Sequence, residues 1–355
     1  MSGGRVRRAL ALVSAALAAW LLFVAPAWSA SAPRSFFGVV PQGPLAVRDL
    51  DRMQGVVGTL RIPVFWFEVE PEPGARLFQR YDELFAAAAD RGIQILPFVC
   101  GSPPWIAANP SRPPLANAEE RRAWASFLRL LVARYGPGGE FWQGRADRLP
   151  VHSWQIWNEP NFGLYWQPRP SPRGYARMLA ISARSIRALD PRASIVAAGV
   201  APVGAGLLPW VFMRQLYRVP GVKQYFDVAA IHPYASNVNR MRAQVKEVRE
   251  IMNSAGDSVT PLLVSEFGVA SQGTFPSVFV LGERGQANFA HDAMRLLLSK
   301  RRTWRLAGAY WFTWQDGPAA DIHCSFCEGA GLFDREGKPK PAWWAYRQMA
   351  LSAVR

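Results

Sequence analysis

The chain has 355 residues, half of them hydrophobic, so it can bury a sizeable core and does not have the composition of a disordered segment. Its formal charge is +15, from 41 Lys and Arg against 26 Asp and Glu, yet the arginines are scattered rather than run together, and no nucleic-acid-binding motif accompanies them. Three cysteines are too few for a disulfide-built scaffold.

The first thirty-odd residues form an export pattern. Arg5, Arg7 and Arg8 precede an uncharged apolar run from Ala9 to Val24, and small residues follow at Ala27, Ser29, Ala30, Ser31 and Ala32. Two outcomes stay open: a signal peptide over 1–32, cleaved after Ser29 or after Ala32, or an uncleaved membrane anchor. Either one places the remaining 33–355 outside the cytoplasm, secreted or associated with the cell envelope. Contact with a membrane is expected only if the segment stays attached. Losing the three signal arginines lowers the charge from +15 to +12.

From about Ser35 onward, strand-like and helix-like segments alternate. The strand candidates are Phe36–Val40, Gly58–Val64, Ile93–Val99, His152–Trp157, Ser194–Ala198, Phe226–Ile231, Pro261–Glu266 and Leu306–Thr313. Shorter helices fit at Leu45–Gln54, Tyr81–Arg91 and Ala205–Tyr217. Asn117 with Glu120 three residues on has capping-box spacing, and Trp124, Phe127, Leu128 and Leu131 then line one face. Ser171-Pro172 opens the next helix and Asp190-Pro191 closes it. Met241, Val245, Val248 and Met252 mark another, and Ala290, Met294, Leu297 and Leu298 the one before the last strand. Pro341 to Ala350 ends the series. Eight strand–helix units in this length predict one α/β domain, a (β/α)8 TIM barrel, which takes about 250 residues plus insertions.

Barrel enzymes place their reacting groups at the C-terminal ends of the strands. Two carboxylates stand there. Glu159 follows the fourth strand in Trp157-Asn158-Glu159-Pro160-Asn161, and Glu266 closes the seventh in Ser265-Glu266-Phe267-Gly268. Two carboxylates facing one pocket are the minimum equipment for cleaving a glycosidic bond. Arg61, inside the apolar second strand, is costly to bury without a partner. Its pairing with a carboxylate would serve both structure and catalysis. Fifteen Trp and 20 Phe fill the core and leave a handful for stacking against sugar faces.

These motifs, in order across six strands, resemble clan A glycoside hydrolases, most closely family 39 and its small exopolysaccharide-cleaving relatives. Trp157-Asn158-Glu159-Pro160 looks like the family's acid/base motif and Ser265-Glu266-Phe267-Gly268 like its nucleophile motif. Arg61 in Leu60-Arg61-Ile62 resembles the arginine beside the nucleophile. Ser102-Pro103-Pro104-Trp105, His232-Pro233-Tyr234 and Trp311-Phe312-Thr313-Trp314 resemble the ends of the third, sixth and eighth strands. The resemblance implies a retaining hydrolase of a polysaccharide or oligosaccharide, with Glu159 as acid/base and Glu266 as nucleophile, their carboxyls about 5–5.5 Å apart. Asn158, Arg61, His232 and Tyr234 would serve substrate or carboxylates, Trp314 would form the floor, and Trp105 and Trp166 the walls. No metal or organic cofactor is needed, no nucleic-acid partner is expected, and a monomer suffices. Family 39 exo-xylosidases usually carry an accessory β-domain for which this chain has no room, so endo action is expected first and exo-β-glycosidase action second. A glycan-binding barrel that does not cut is the reading from another class.

Cys324 and Cys327 are spaced for a local disulfide, leaving Cys100 a buried thiol. A zinc site from Cys100, His323, Cys324 and Cys327 is the sharper alternative.

Overall fold

The computed structural model describes residues 31–202, 205–318, 324 and 326–354. Eight parallel strands close into a barrel in sequence order: β1 (Phe37–Val40), β2 (Thr59–Phe65), β3 (Gln94–Cys100), β4 (Ser153–Ile156), β5 (Ser194–Val200), β6 (Val228–Ile231), β7 (Leu262–Phe267) and β8 (Leu306–Phe312), with β8 pairing back on β1. The (β/α)8 barrel expected from the alternation is the one found. The N-terminal export segment and His323 lie outside the described residues, and among those described no helix is long and apolar enough to cross a membrane.

Helices α1 (Val47–Met53), α2 (Trp66–Val69), α3 (Gln79–Ala89), α4 (Ala118–Tyr135), α5 (Pro172–Arg187), α6 (Pro209–Tyr217), α7 (Val238–Ser254), α8 (Gly282–Lys300) and α9 (Pro341–Ala353) wrap the barrel. Capping explains several starts. The Asn117 side chain accepts from Glu120 N at 2.9 Å, Ser171 from Gly174 N, and Asn237 from Arg240 N. Glu120 itself reaches Ala116 N, one residue short of the reciprocal capping-box bond. The one-turn α2 was not expected from the sequence; it is too short to show a period.

Strand alternation sorts the side chains. On β2, Leu60, Ile62 and Val64 join the large core between barrel and helices, while Arg61 points inward. The interior carries Val40, Leu96, Val196, Ala230, Leu263, Tyr310 and Phe312. On β7 the alternation breaks. A register shift lies between Val264 and Phe267, and Ser265 and Glu266 are both directed into the barrel. Such irregularities re-aim side chains next to functional sites.

Candidate active site

The groups singled out at the ends of β2, β4, β6 and β7 converge at the C-terminal mouth. Arg61 is fully buried and its fork is fully used. Nε donates to Gln155 Oε1 at 2.6 Å, one terminal nitrogen to Glu266 Oε1 at 2.5 Å, and the other to Asn158 Oδ1 at 2.8 Å. The guanidinium also lies 4.0 Å from the ring centre of Phe98. Breaking such a buried pair costs about 3–5 kcal/mol, because the remaining charge has no solvent. The second oxygen of Glu266 accepts the Tyr234 hydroxyl at 2.7 Å. Glu266 therefore has a fixed orientation with a cation on one oxygen and a donor on the other.

Glu159 stands opposite, bonded through Oε1 to His232 Nδ1 at 2.7 Å. His232 Nδ1 also lies 3.4 Å from Glu266 Oε2. One oxygen of each carboxylate and one ring nitrogen of His232 fall within 4.8 Å of one another. Such closeness of their nearest atoms is compatible with the short carboxyl spacing of about 5–5.5 Å.

The two carboxyls have unlike surroundings. Burial, and then the negative charge of Glu266, push the Glu159 carboxyl well above the usual range, with Arg61 opposing. Burial and the Arg61 charge hold His232 well below its ordinary value, so the imidazole stays neutral. Burial and the Glu266 charge also raise the Tyr234 hydroxyl, which keeps its proton and donates it. The surroundings favour a proton on Glu159 and set Glu266 against a guanidinium, an arrangement that suits proton donation by one carboxyl and attack by the other.

These shifts have consequences for stability. The contribution of Glu159 is fully present below the ordinary carboxylate range and is lost as pH rises through its raised value. That of His232 is present above its ordinary 6.5 and is lost as pH falls through its lowered value. Glu159→Gln removes only the first. Its unfolding midpoint relative to wild type is therefore expected to be higher at about pH 8 than at about pH 5. An unchanged difference across that range in thermal melts would show that Glu159 is not held protonated.

The backbone that presents Glu159 is strained. Trp157 has φ of 69° and Glu159 of 40°, left-handed conformations that cost a non-glycine residue roughly 1–3 kcal/mol each. The surroundings enforce them. Trp157 N donates to Val99 O, its indole N–H donates to Tyr165 O at 2.6 Å, and Phe162 N donates to Glu159 O at 2.9 Å. Asn161, fully buried, ties this turn to the loop after β5: its amide donates to Ala201 O and Leu207 O, and its oxygen accepts from Ala201 N.

Gly199 on β5 makes room for His232. A Cβ there would fall 2.1 Å from His232 Nε2 and 2.7 Å from Ser265 Oγ. Side chains missed from the sequence include Gln155, Asn161, Phe279, Phe312 and Phe326. The last three ring Tyr234, with centroids at 6.5, 5.9 and 5.2 Å. Gln155 had a legible signal: a polar residue at a barrel-facing position of β4, beside the inward arginine.

Three expected contacts need correction or placing. Trp314 is not a floor: it is 1% exposed and packs on Phe333 and Trp343, while Phe312 faces the site beside Tyr234. β8 ends at Phe312, and Trp314 in the loop beyond it packs on Trp343 of α9. Trp166 is not a wall: it is 2% exposed, wedged between Trp157 and Tyr175. Trp105 is half-buried on the β3 loop, its indole N–H on Glu70 O.

Cys324 and Cys327 are joined by a disulfide, with Cα atoms 5.4 Å apart. Cys100 is a free, buried thiol pushed up to about 12, chiefly by burial. Thiolates for the zinc alternative are therefore not on offer from that pair. Among the described residues, Glu159, His232 and Glu266 are the group whose ligand atoms converge. Arg61 and Tyr234 already occupy Glu266, and a guanidinium beside a dication repels it, so these atoms fit proton transfer better than metal binding.

No protein-family model and no curated protein matches the sequence. Solved structures match the fold. A family 39 glycoside hydrolase from the gut symbiont Bacteroides cellulosilyticus WH2 superposes with a TM-score of 0.68 at 20% identity, over 91% of this chain and 64% of that one. A glucosidase from Croceicoccus marinus gives 0.66 at 19% identity, over 91% and 69%. A monomeric beta-xylosidase from Caulobacter crescentus CB15 gives 0.65 at 17% identity, over 89% and 68%. The chain thus spans just under two thirds of the family 39 enzyme, and what it shares with all three is the barrel. These neighbours share the barrel fold that the resemblance of the strand-end motifs implied.

Proposed function

We propose that this chain is an exported retaining glycoside hydrolase that cuts within a polysaccharide. The observation that carries the reading is a buried Glu159, bonded to His232, facing a Glu266 held by Arg61 and Tyr234, with one oxygen of each within 4.8 Å, in surroundings that favour a proton on Glu159. In the first step Glu266 Oε attacks the anomeric carbon as Glu159 gives its proton to the departing glycosidic oxygen. The C–O bond to the leaving sugar breaks and a glycosyl ester on Glu266 forms. In the second, Glu159 takes a proton from water, the water oxygen attacks the same carbon from the vacated face, and Glu266 leaves as carboxylate. Two inversions retain the configuration. Asn158, held by Arg61, is placed to bond the sugar 2-hydroxyl, a contact that strengthens as charge develops on the ring.

The rim supports an extended substrate. Tyr165 on the β4 loop and Phe275 on the β7 loop are exposed, and Trp105, Phe279 and Phe326 are partly exposed on the loops after β3, β7 and β8. Aromatic faces spread around a mouth suit several sugar units better than one terminal unit. The test is a digest of a polysaccharide panel including bacterial exopolysaccharides, wild type beside Glu266→Gln, with products sized by mass spectrometry. Oligomers released only by wild type are the expected result. Monosaccharide alone would replace endo with exo action, and identical digests from both proteins would remove the hydrolase reading.

A further inference from the structure

The +12 that remains once Arg5, Arg7 and Arg8 are set aside is not spread evenly over the barrel. In a parallel barrel every helix-to-strand connection lies at the N-terminal end, opposite the mouth. Those connections carry Arg34 before β1, Arg148 before β4, Arg192 before β5, Lys223 before β6, and Arg302 and Arg305 before β8. All six are exposed, and among the described residues none forms an ion pair. The acids at this end offer little balance. Asp227 is bonded to Arg187 and Glu140 to Arg134, Asp190 and Asp257 are buried, and Asp90 and Asp147 remain exposed. The connections around the mouth are different: Glu70, Glu72, Glu328, Asp334 and Glu336 accompany Arg76, Arg169, Arg335 and Lys338. The basic excess therefore does not serve the substrate cleft.

The chain that precedes the barrel also joins it here. Ala32 N donates to Ala353 O at 3.0 Å, and the Arg301 guanidinium donates to Ser31 O at 3.0 Å. Residues 1–30, with Arg5, Arg7, Arg8 and the uncharged run from Ala9 to Val24, precede Ser31 in the chain.

We propose that the N-terminal end of the barrel docks on an anionic lipid bilayer and holds the carboxylate mouth facing away from it. Attraction to anionic headgroups fades within a Debye length, about 8 Å at physiological salt, so basic residues act together only when they share one end of the molecule, as these do. An adjoining apolar run favours a bilayer over a nucleic-acid duplex, which would gain nothing from it. The orientation leaves the mouth open to polymer on the side away from the lipid. The docking does not depend on hydrolysis and is tested without it.

The experiment is co-sedimentation of the full-length chain with vesicles of phosphatidylcholine, alone or mixed with phosphatidylglycerol. Wild type is compared with Arg148→Glu/Arg192→Glu/Arg302→Glu and with a mouth-side control, Arg169→Glu/Lys338→Glu. Wild type is expected to prefer the phosphatidylglycerol vesicles and to lose that preference at high salt. The triple variant is expected to bind them about a hundredfold more weakly, and the control to bind as wild type. If the triple variant does not fold, each single reversal is expected to weaken binding about fivefold or more. Equal binding to phosphatidylcholine alone, equal losses in triple variant and control, or tighter binding to a DNA duplex than to these vesicles would each overturn the proposal.

Discussion

Glu266→Gln is expected to lower kcat/KM on any glycoside the wild type cleaves by about 10,000-fold or more, since no other group can form the covalent intermediate. The fold is expected to survive. A glutamine keeps an oxygen for the Arg61 guanidinium and a polar atom for the Tyr234 hydroxyl, and it keeps the side-chain volume. It removes the anion, so the fully buried Arg61 loses its counter-charge and stability falls by a few kcal/mol, roughly the cost of an unpaired buried ion softened by the remaining hydrogen bonds. Some of that loss is recovered nearby. The Glu266 charge is one of the two causes that keep Glu159 protonated. Without it Glu159 ionises more readily and supplies an anion to the same pocket. Thermal melts and steady-state kinetics on the purified variant check both parts, and a variant turning over near the wild-type rate would end the nucleophile assignment.

Glu159→Ala is expected to behave in a way that no merely structural residue would. On a polysaccharide, whose leaving alcohol needs a proton, the rate falls by about 100- to 10,000-fold. On an aryl glycoside with a good leaving group, the ester on Glu266 still forms and then accumulates, because nothing activates water. Azide fits the space the carboxylate vacated, needs no base, and attacks the anomeric carbon of the ester. The expected product is a glycosyl azide of retained configuration, with turnover restored in proportion to azide. An azide product of inverted configuration would exchange the roles of the two carboxylates. The buried imidazole of His232 is not expected to substitute for Glu159. It is held neutral, and its Nδ1 faces the place where the carboxyl was rather than the sugar.

The barrel was legible because its signal is repeated along the whole chain. Strand after strand shows a short apolar run, then a turn, then a helical period, and the observed strand bounds fall within a residue or two of those expected, as in β3 over Gln94–Cys100 against Ile93–Val99, while the helix expected from Ala205 starts at Pro209. The convergence of Arg61, Asn158, Glu159, His232, Tyr234 and Glu266 was legible for a related reason. A strand end fixes where a side chain begins, and a polar group in an apolar run announces itself. What stayed hidden lies in the loops. Trp314 and Phe312 are two residues apart, and sequence alone does not say where β8 stops. A slip of that size decides which ring faces Tyr234 and which packs on Trp343. Trp166 sits in a Pro-rich loop and is held between Trp157 and Tyr175, each nine residues away, a spacing that belongs to neither helix nor strand periodicity. Phe279 and Phe326 have no periodic neighbours at all, yet they close the aromatic ring around Tyr234. Glu266 itself enters the site through a register shift on β7, which strict alternation does not foresee.

The central claim is a double displacement through Glu266. Its most direct test is proton NMR of the sugar anomer released in the first minutes of hydrolysis, taken on a polysaccharide the wild type cleaves. The first-formed anomer is expected to have the configuration of the bond that was cut, and Glu266→Gln to release none of it. A first-formed product of opposite configuration, or the same product at a similar rate from Glu266→Gln, would contradict it.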